Sequence, residues 1–191
     1  MGTFRVVRTT RAAQVGFLAI DEVELESPDG EPMRRTVVRH PGAVVIVPVE
    51  ADQATVVLVR QYRVAIGSHL LEVPAGKRDV EGEEPATTAA RELEEELGMR
   101  AGRMVQLAEF FNTPGFCDEH SHLFVALDLE RVDQPSPTSP EERDMTTERV
   151  ALADVETLIS TGTLVDAKSI IGLLLARQFL AGALPGVDAA P

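Results

Sequence analysis

Two short apolar runs constrain the fold of this chain more than any other feature. Ala43 to Val49 and Thr55 to Val59 are rich in Val and Ile, and a short connection that includes Glu50 and Asp52 separates them. Runs of this length and composition predict buried strands, because β-branched residues favour strands and both faces of each run are apolar. The chain is therefore expected to build a covered β-sheet.

The N-terminal residues predict a separate β-structure. Val15 to Glu26 and Met33 to Arg39 favour strands, and the sequence Ser27-Pro28-Asp29-Gly30 between them is a strong turn signal. The two segments predict a hairpin. Residues 1–40 are expected to form a small antiparallel β domain.

The remaining segments alternate between strand and helix patterns. Further strands are predicted at Leu70 to Val73, Met104 to Phe111 and Leu123 to Leu129, and helices at Pro85 to Gly98, Leu152 to Ser160 and Ala167 to Leu180. This order predicts an α+β fold in which a mixed sheet has helices on both faces. The main domain is expected over residues 41–181, followed by a flexible tail over 182–191.

A proline-rich stretch interrupts the second half of the chain. Asp133 to Pro140 holds three prolines in eight residues, which excludes a helix or a central strand. We predict a mobile loop here that ends in Glu141-Glu142-Arg143-Asp144.

Composition restricts the environment and the partners. The formal net charge of −13 makes nucleic acid an improbable partner, because polyanions are repelled. Cys117 is the only cysteine, so no internal disulfide can form, as is typical of cytoplasmic proteins. The chain shows neither a secretory signal nor an apolar run near the ~20 residues of a membrane helix, which predicts no membrane association.

The predicted helix at Pro85 to Gly98 carries the chemistry. At about 100° per residue, one stripe of it is apolar, consisting of Ala86, Ala89, Ala90, Leu93 and Leu97. Glu92 and Glu96 project side by side at the edge of this stripe, and Glu95 lies next to Glu92. Like charges one turn apart weaken a helix by roughly 0.2–0.5 kcal/mol per pair, which a hard divalent cation would offset. A solvated acidic face is the alternative.

The residues around this helix follow a longer pattern: Gly76, Glu83, Arg91, Glu92, Leu93, Glu95, Glu96, Gly98 and Met99. In this pattern the chain resembles the Nudix hydrolases, whose signature has a Gly, a Glu and then an Arg-Glu-aliphatic-any-Glu-Glu-any-Gly helix. Six residues, rather than the signature's five, separate Gly76 from Glu83. The extra residue lies before the helix, so the register from Arg91 to Gly98 is unaffected.

The resemblance implies a fold and a set of roles. The fold would be a Nudix-type α/β/α sandwich. Glu92 and Glu96 would be the main ligands of Mg²⁺ or Mn²⁺, with Glu95 assisting and the backbone carbonyl of Ala75 as a further ligand. Arg91 would orient the carboxylates through a salt bridge. Metal ions would neutralise a substrate diphosphate and activate water.

Over residues 33 to 175 the chain is similar to the ADP-ribose pyrophosphatases in particular. The resemblance rests on Gln61-Tyr62-Arg63, on the run from Leu71 to Gly76, and on Pro114, which lies sixteen residues after Gly98. The loop from Thr113 to Glu119 is similar to the substrate loop of that subgroup. Hydrolysis of ADP-ribose to AMP and ribose 5-phosphate is therefore the expected reaction.

Several residues are candidates for substrate binding. A guanidinium offers fork-like hydrogen bonding to phosphate, so Arg63 is the main candidate, and Arg35 is a second. Glu72 is either a substrate contact or an ordinary strand carboxylate. Phe17 either stacks on adenine or packs in the core. The substrate loop contributes Pro114, Gly115 and Phe116.

The glutamates after the proline-rich loop are candidates for the general base. In the subgroup that the chain resembles, a glutamate here closes over the site. Glu142 is our main candidate and Glu141 the alternative, since a carboxylate can accept a proton from water. A mobile loop would bring such a group in only with substrate bound.

The resemblance also implies a homodimer in which the N-terminal β domain swaps across to complete the partner's site. Three functions remain open from the sequence: hydrolysis of ADP-ribose, the same reaction on another compound such as a nucleotide sugar, FAD or NADH, and ligand sensing without catalysis. The intact set of Glu92, Glu95 and Glu96 argues against sensing.

Overall fold

The computed structural model of the protein describes residues 2–132 and 140–187. The chain divides into two compact units. Unit 1 contains Met1–Ala43 and Phe110–Ser121, and unit 2 contains Val44–Glu109 and His122–Pro191. Residues 133–139 of the predicted proline-rich loop, and 188–191 of the predicted tail, lie outside the described residues.

Unit 1 is built on a three-stranded antiparallel sheet. Its strands are β1 (Arg5–Val15), β2 (Leu18–Glu26) and β3 (Pro32–Arg39), in the order β1-β2-β3. The predicted two-stranded hairpin was incomplete, because β1 was not foreseen. Nearly every side chain of β1 is exposed, so its sequence lacks the alternation of buried and exposed residues that predicts a strand.

The segment around Cys117 pairs with β3 inside unit 1. Val38 donates its backbone N–H to the Phe116 carbonyl at 2.7 Å, and its carbonyl accepts from the Asp118 N–H at 3.2 Å. The Asp118 carboxylate in turn accepts from Arg39 at 3.0 Å and from the His40 N–H at 2.9 Å. These contacts fix the end of the predicted substrate loop.

The strands of the main domain form two sheets, ordered β10-β5-β6 and β7-β4-β9-β8. Their bounds are β4 (Ala43–Pro48), β5 (Thr55–Arg63), β6 (Ser68–Glu72), β7 (Ala75–Lys77), β8 (Met99–Phe111), β9 (His120–Arg131) and β10 (Thr146–Ala151). The two apolar runs are buried strands as predicted, β4 over its whole length.

Within the described residues, four helices accompany these strands: α1 (Pro85–Leu97), α2 (Pro140–Asp144), α3 (Val155–Ser160) and α4 (Ala167–Leu180). The helix predicted over Leu152 to Ser160 is split, because Leu152–Asp154 is a 3₁₀ turn that precedes α3. Glu141 to Asp144, predicted as the end of a loop, belongs to α2. Strand β10 was not predicted; it pairs with β5, a partner that its own sequence does not reveal.

Strands β4 and β9 lie between two helices. Their alternate residues Val44, Ile46, Phe124 and Ala126 share one core cluster with Ala89, Leu93 and Leu97 of α1. The opposite face of these strands packs against Gly172 of α4, where a Cβ atom would lie 3.0 Å from Val47 and 3.1 Å from Leu123. The predicted α+β fold, with a mixed sheet in an α/β/α sandwich, is confirmed.

The helices that the structure describes were also compared with what a lipid bilayer requires. None of them combines the length and the apolar character of a membrane-spanning helix.

Candidate functional site

Helix α1 begins and ends where its sequence signals predict. Pro85 lies in the first turn, where its missing N–H costs no hydrogen bond. Gly98 adopts a left-handed conformation with φ 61°, and its N–H donates to the carbonyls of Glu94 and Leu93. The buried face differs in part from the predicted stripe. Ala86 and Ala90 are exposed. Thr88 is buried, and its hydroxyl is satisfied there by donating to the Glu83 carboxylate at 2.7 Å.

Gly76 and Glu92 are in direct contact. A Cβ atom at residue 76 would lie 1.9 Å from the carboxyl carbon of Glu92 and 2.3 Å from its Oε1. No side chain fits in this space, so glycine is required here for close approach rather than for an unusual φ angle. The contact sets the Glu92 carboxylate directly against the backbone of β7.

Glu96 carries a buried oxygen that lacks a partner. Its Oε2 atom has no hydrogen bond to any part of the chain that the structure describes. Burial, followed by the charges of Glu92 and Glu142, raises the pKa of Glu96 to about 8, although Arg63 and a backbone hydrogen bond from Ala75 act in the opposite direction. An unpaired buried carboxylate oxygen is costly unless a cation or a proton compensates it.

Glu92 is perturbed in the same direction. Burial raises the pKa of Glu92 to about 7, and the charges of Glu95 and Asp79 add to this shift while Arg91 opposes it. Glu92 and Glu96 therefore form a pair of carboxyl groups that resist ionisation near neutral pH. A divalent cation beside them would favour the ionised form of both groups.

Arg91 lies at the centre of a group of carboxylates. Its guanidinium is 3.0 Å from Glu92, 3.2 Å from Glu95, 3.5 Å from Glu83 and 3.8 Å from Asp79. The predicted salt bridges of Arg91 are therefore present. Glu83 reaches Arg91 despite the extra residue in the preceding loop. The contact of Asp79 with Arg91 was not predicted, because no helix or strand period connects Asp79 to the motif.

Arg63 and Glu72 form a bidentate ion pair across adjacent strands. Arg63 donates from Nε to one Glu72 oxygen and from Nη2 to the other, both at 2.7 Å. The Glu72 side chain is only 1% exposed, whereas that of Arg63 is 38% exposed. Glu72 thus contacts Arg63, the main candidate for phosphate binding, and the charge of Arg63 acts on Glu96.

The two candidate bases differ in their surroundings. Both lie on α2, where Glu141 is exposed and Glu142 is partly buried. The charge of Glu142 helps to raise the pKa of Glu96. Helix α2 is held to β6 through Asp144, whose carboxylate lies 2.9 Å from the His69 ring nitrogen.

The remaining substrate-binding candidates lie in unit 1. Phe17 is half exposed in the turn after β1 and contacts the His40 ring edge-to-face, with ring centroids 5.3 Å apart. Arg35 is exposed on β3 and donates to the Arg34 carbonyl. The turn of Pro114, Gly115 and Phe116 is exposed, and its last residue is tied to β3 through its carbonyl.

Sequence reasoning did not single out the N-terminus of α4. Asp166 caps this helix by accepting from the Ser169 N–H at 2.9 Å and from the Ser169 hydroxyl at 2.7 Å. Lys168 lies 2.7 Å from Asp166 and 3.7 Å from Glu72. An Asp three residues before a Ser at the start of an apolar helix is a capping signal that predicts this arrangement locally.

The donors around Glu92 and Glu96 suit a hard cation. Carboxylate oxygens and a backbone carbonyl are the ligands that Mg²⁺ and Mn²⁺ prefer. The orphaned Oε2 of Glu96 and the close packing of Glu92 on Gly76 both fit a site that a cation completes. Glu92 and Glu96 are the side chains that would hold it, and the backbone hydrogen bond from Ala75 to Glu96 brings the backbone of residue 75 to the same place.

Comparison with known proteins agrees with this geometry. A family model described as the NUDIX domain matches residues 38–170. An ADP-ribose pyrophosphatase of Bacillus subtilis is 37% identical over 152 residues, which cover 80% of each chain. An ADP-ribose pyrophosphatase of Mycobacterium tuberculosis is 37% identical over 87% of this chain and 79% of that protein.

Other similarities extend these findings. A GDP-mannose pyrophosphatase of Escherichia coli is 29% identical over 78% of this chain and 81% of that protein. The crystal structure of an ADP compounds hydrolase matches with a TM-score of 0.83 and 26% identity, covering 94% of this chain and 95% of the other. The family model, the relatives and the fold all agree, and the chain belongs to the Nudix family of hydrolases.

Proposed function

We propose that this protein hydrolyses the diphosphate of a nucleoside-diphosphate derivative with a divalent cation, and that its substrate is ADP-ribose, cleaved to AMP and ribose 5-phosphate. The observation that carries the chemistry is the Glu92–Glu96 pair. One carboxylate is pressed against Gly76, and the other has a buried oxygen without a hydrogen-bond partner among the described residues. Such a pair is costly in a merely structural helix.

The motif residues of the main domain take distinct roles in this reaction. Glu92, Glu96 and the Ala75 carbonyl hold Mg²⁺ or Mn²⁺, which when bound neutralises the diphosphate and makes water a better nucleophile. Glu95 assists them. Arg91 fixes the carboxylates through the ion pairs described above, and Gly98 and Glu83 keep the helix and its preceding loop in place.

The proton and phosphate roles fall to residues on three other elements. Glu142 accepts the proton of the attacking water, and its electrostatic effect on Glu96 supports this choice over Glu141. Arg63 binds a substrate phosphate through its guanidinium, and Glu72 fixes the plane of that guanidinium. Phe17, Arg35 and the turn of Pro114, Gly115 and Phe116 remain candidates for substrate binding on the strength of the family resemblance.

The choice of ADP-ribose has its own support. The two relatives at 37% identity carry the name ADP-ribose pyrophosphatase, and each match covers at least 79% of both chains. The relative named GDP-mannose pyrophosphatase is less similar, at 29% identity. A nucleotide sugar, FAD or NADH is therefore the second choice of substrate within the same chemistry.

We further propose a homodimer in which residues 1–40 exchange between subunits, and a cytoplasmic location, which the single cysteine supports. Strand β1 exposes large apolar side chains in the single chain, with Val6 61% and Val7 51% exposed. Phe4 and Phe17 are exposed on either side of this strand. A partner subunit that covered β1 would remove these apolar side chains from water, which is favourable.

The decisive experiment measures nucleoside monophosphate released from ADP-ribose, ADP-glucose, GDP-mannose, NADH and FAD, with Mg²⁺ and with EDTA. We expect metal-dependent release of AMP, fastest from ADP-ribose. Glu96→Gln keeps the shape of the side chain and should reduce the rate by more than about 100-fold, because outer-shell residues alone contribute about 10–100-fold. Preference for another compound would refute the substrate and keep the chemistry, whereas no turnover of any compound would refute both.

A further inference from the structure

The buried carboxylate of Glu72 has two cations near the same oxygen. Arg63 donates to Oε2 at 2.7 Å, and the Lys168 ammonium lies 3.7 Å from that atom. Glu72 is 1% exposed and the Lys168 side chain 19% exposed, so these two groups interact with little screening by water. Because a second cation acts on Oε2, rotation of the carboxylate about its terminal bond is restricted.

Lys168 is itself held in place at the start of α4. Its ammonium lies 2.7 Å from Asp166, whose other oxygen accepts from Ser169. The Ser169 hydroxyl also accepts a hydrogen bond of 2.9 Å from the backbone N–H of Val73, the residue after Glu72. The helix terminus is therefore bonded to the same stretch of backbone that carries the buried carboxylate.

Arg63 has donor capacity left over in this arrangement. Its Nε and Nη2 atoms are committed to Glu72, and Nη1 makes no hydrogen bond within residues 2–132 and 140–187. The charges of Arg63 and Glu96 also act on each other, so the guanidinium lies on the side of the Glu96 carboxylate. A planar guanidinium fixed on one edge can present its other edge to a phosphate with little loss of entropy.

We propose that Lys168 is a positioning residue for this enzyme: through Glu72 it fixes the Arg63 guanidinium in the orientation that binds the substrate phosphate. The inference deepens the proposed function and rests on it, since Arg63 is the phosphate-binding group there. Lys168 does not contact the reacting atoms. Its effect passes through two ion pairs to the substrate.

This role predicts a particular kinetic signature. A phosphate bound equally well in the ground state and in the transition state contributes to KM and leaves kcat unchanged. Lys168→Met should therefore raise KM about tenfold, the size of one charge-assisted hydrogen bond, with kcat within about threefold of wild type. Lys168→Arg should restore KM, because it returns a cation to Glu72.

The test is a double-mutant cycle between Lys168 and Arg63. In the Arg63→Lys background the bidentate pair is absent, so adding Lys168→Met should change KM by less than about twofold. The same tenfold change in both backgrounds would overturn the inference, as would a loss confined to kcat. Arg177→Met is the matched control, because it removes a cation from the same helix, where Arg177 pairs with Glu156.

Two further measurements separate misfolding and a wrong function from a wrong inference. If Lys168→Met alone unfolds, the double variant Asp166→Asn/Lys168→Met replaces it, because removing one negative and one positive charge together preserves the charge balance. The double variant should show the same rise in KM.

If wild type turns over none of the compounds, the proposed function fails. The Arg63 Nε–Hε NMR signal, assigned with Arg63→Lys, still tests the positioning: it should shift or broaden in Lys168→Met and stay unchanged in Arg177→Met. An unchanged signal in Lys168→Met would overturn the inference.

Discussion

Gly76 and Glu92 are packed so closely that one methyl group on residue 76 would overlap the carboxyl carbon of Glu92, at 1.9 Å. The contact connects the short strand β7 to the helix that bears the proposed ligands. It also gives a physical reason for glycine at a position where the backbone φ is ordinary. Residue 76 therefore provides a test of the site that removes no ligand.

Gly76→Ala should displace Glu92 and weaken Mn²⁺ binding by about 10- to 100-fold, the range seen when groups that orient metal ligands are changed. Isothermal titration calorimetry of the free protein measures this affinity. Gly115→Ala is the control for metal affinity, because a Cβ atom there meets nothing within 4 Å. Unchanged Mn²⁺ affinity in folded Gly76→Ala would show that Glu92 is not a ligand.

The two glutamates of α2 should separate in a kinetic comparison. Glu142→Gln is expected to lower kcat by about 10²- to 10⁴-fold, the usual contribution of a general base, while Mg²⁺ affinity changes little. Glu141 is exposed and is not among the main causes of the shifted Glu96 pKa, so Glu141→Gln should stay within about threefold of wild type. Steady-state rates at saturating substrate measure both effects. The reverse pattern would assign the base to Glu141.

The stability of the metal-free protein should fall as the pH rises. Burial raises the pKa of Glu92 to about 7 and of Glu96 to about 8, from an ordinary value of 4.5. At pH values between the ordinary pKa and the raised pKa values, the folded protein keeps protons that the unfolded chain has lost. The free energy of unfolding therefore decreases as the pH rises through this range. Added Mg²⁺ should offset the loss, because ligand binding to the folded state stabilises it.

Urea unfolding in EDTA at about pH 6 and about pH 8.5 measures this dependence, since the two conditions lie on either side of the raised values. Glu96→Gln should have a smaller difference between the two conditions than wild type, because the glutamine does not titrate. An equal difference in both proteins would mean that Glu96 ionises at its ordinary pKa in the folded state.

Exposure of β1 predicts that the dimer depends on it. Val7→Glu places a charge on an apolar side chain that is 51% exposed in the single chain. We expect this change to shift the protein from dimer to monomer and to lower activity, because the proposed exchange completes each site. Light scattering after size exclusion gives the mass. Val64→Glu, at an 82% exposed position after β5, is the control, and a fully active Val7→Glu monomer would contradict the exchange.

Local signals explain which parts of the fold were predictable. Helix α1 has a proline at its start, a glycine in the left-handed region after its end and an apolar stripe between them, all readable within fourteen residues. Strand β4 and the first part of β5, Thr55 to Val59, are equally explicit, because these runs are apolar on both faces. In these segments the structure is determined by interactions within the segment itself or by the burial of its apolar residues.

Contacts between distant segments explain what was missed. Strand β1 has no buried face, and its strand structure depends on backbone pairing with β2. Arg63 and Glu72 were both named from sequence, but no local pattern shows that they pair. In the register of β5 against β6, Arg63 lies opposite Ser68 and Glu72 opposite Val59, and the two side chains meet across this offset. Lys168 reaches Glu72 only because α4 packs on the sheet, which no local pattern encodes.

The loop between Gly76 and Glu83 shows how much variation the motif tolerates. It holds one residue more than the family signature, yet Glu83 still accepts from Thr88 at 2.7 Å and lies 3.5 Å from Arg91. The extra residue is accommodated in a bend that includes Gly82, at φ 77°. The contacts of Glu83 are thus present with a longer interval, so a pattern search with a fixed interval would discard this chain although Glu83 still reaches both Thr88 and Arg91.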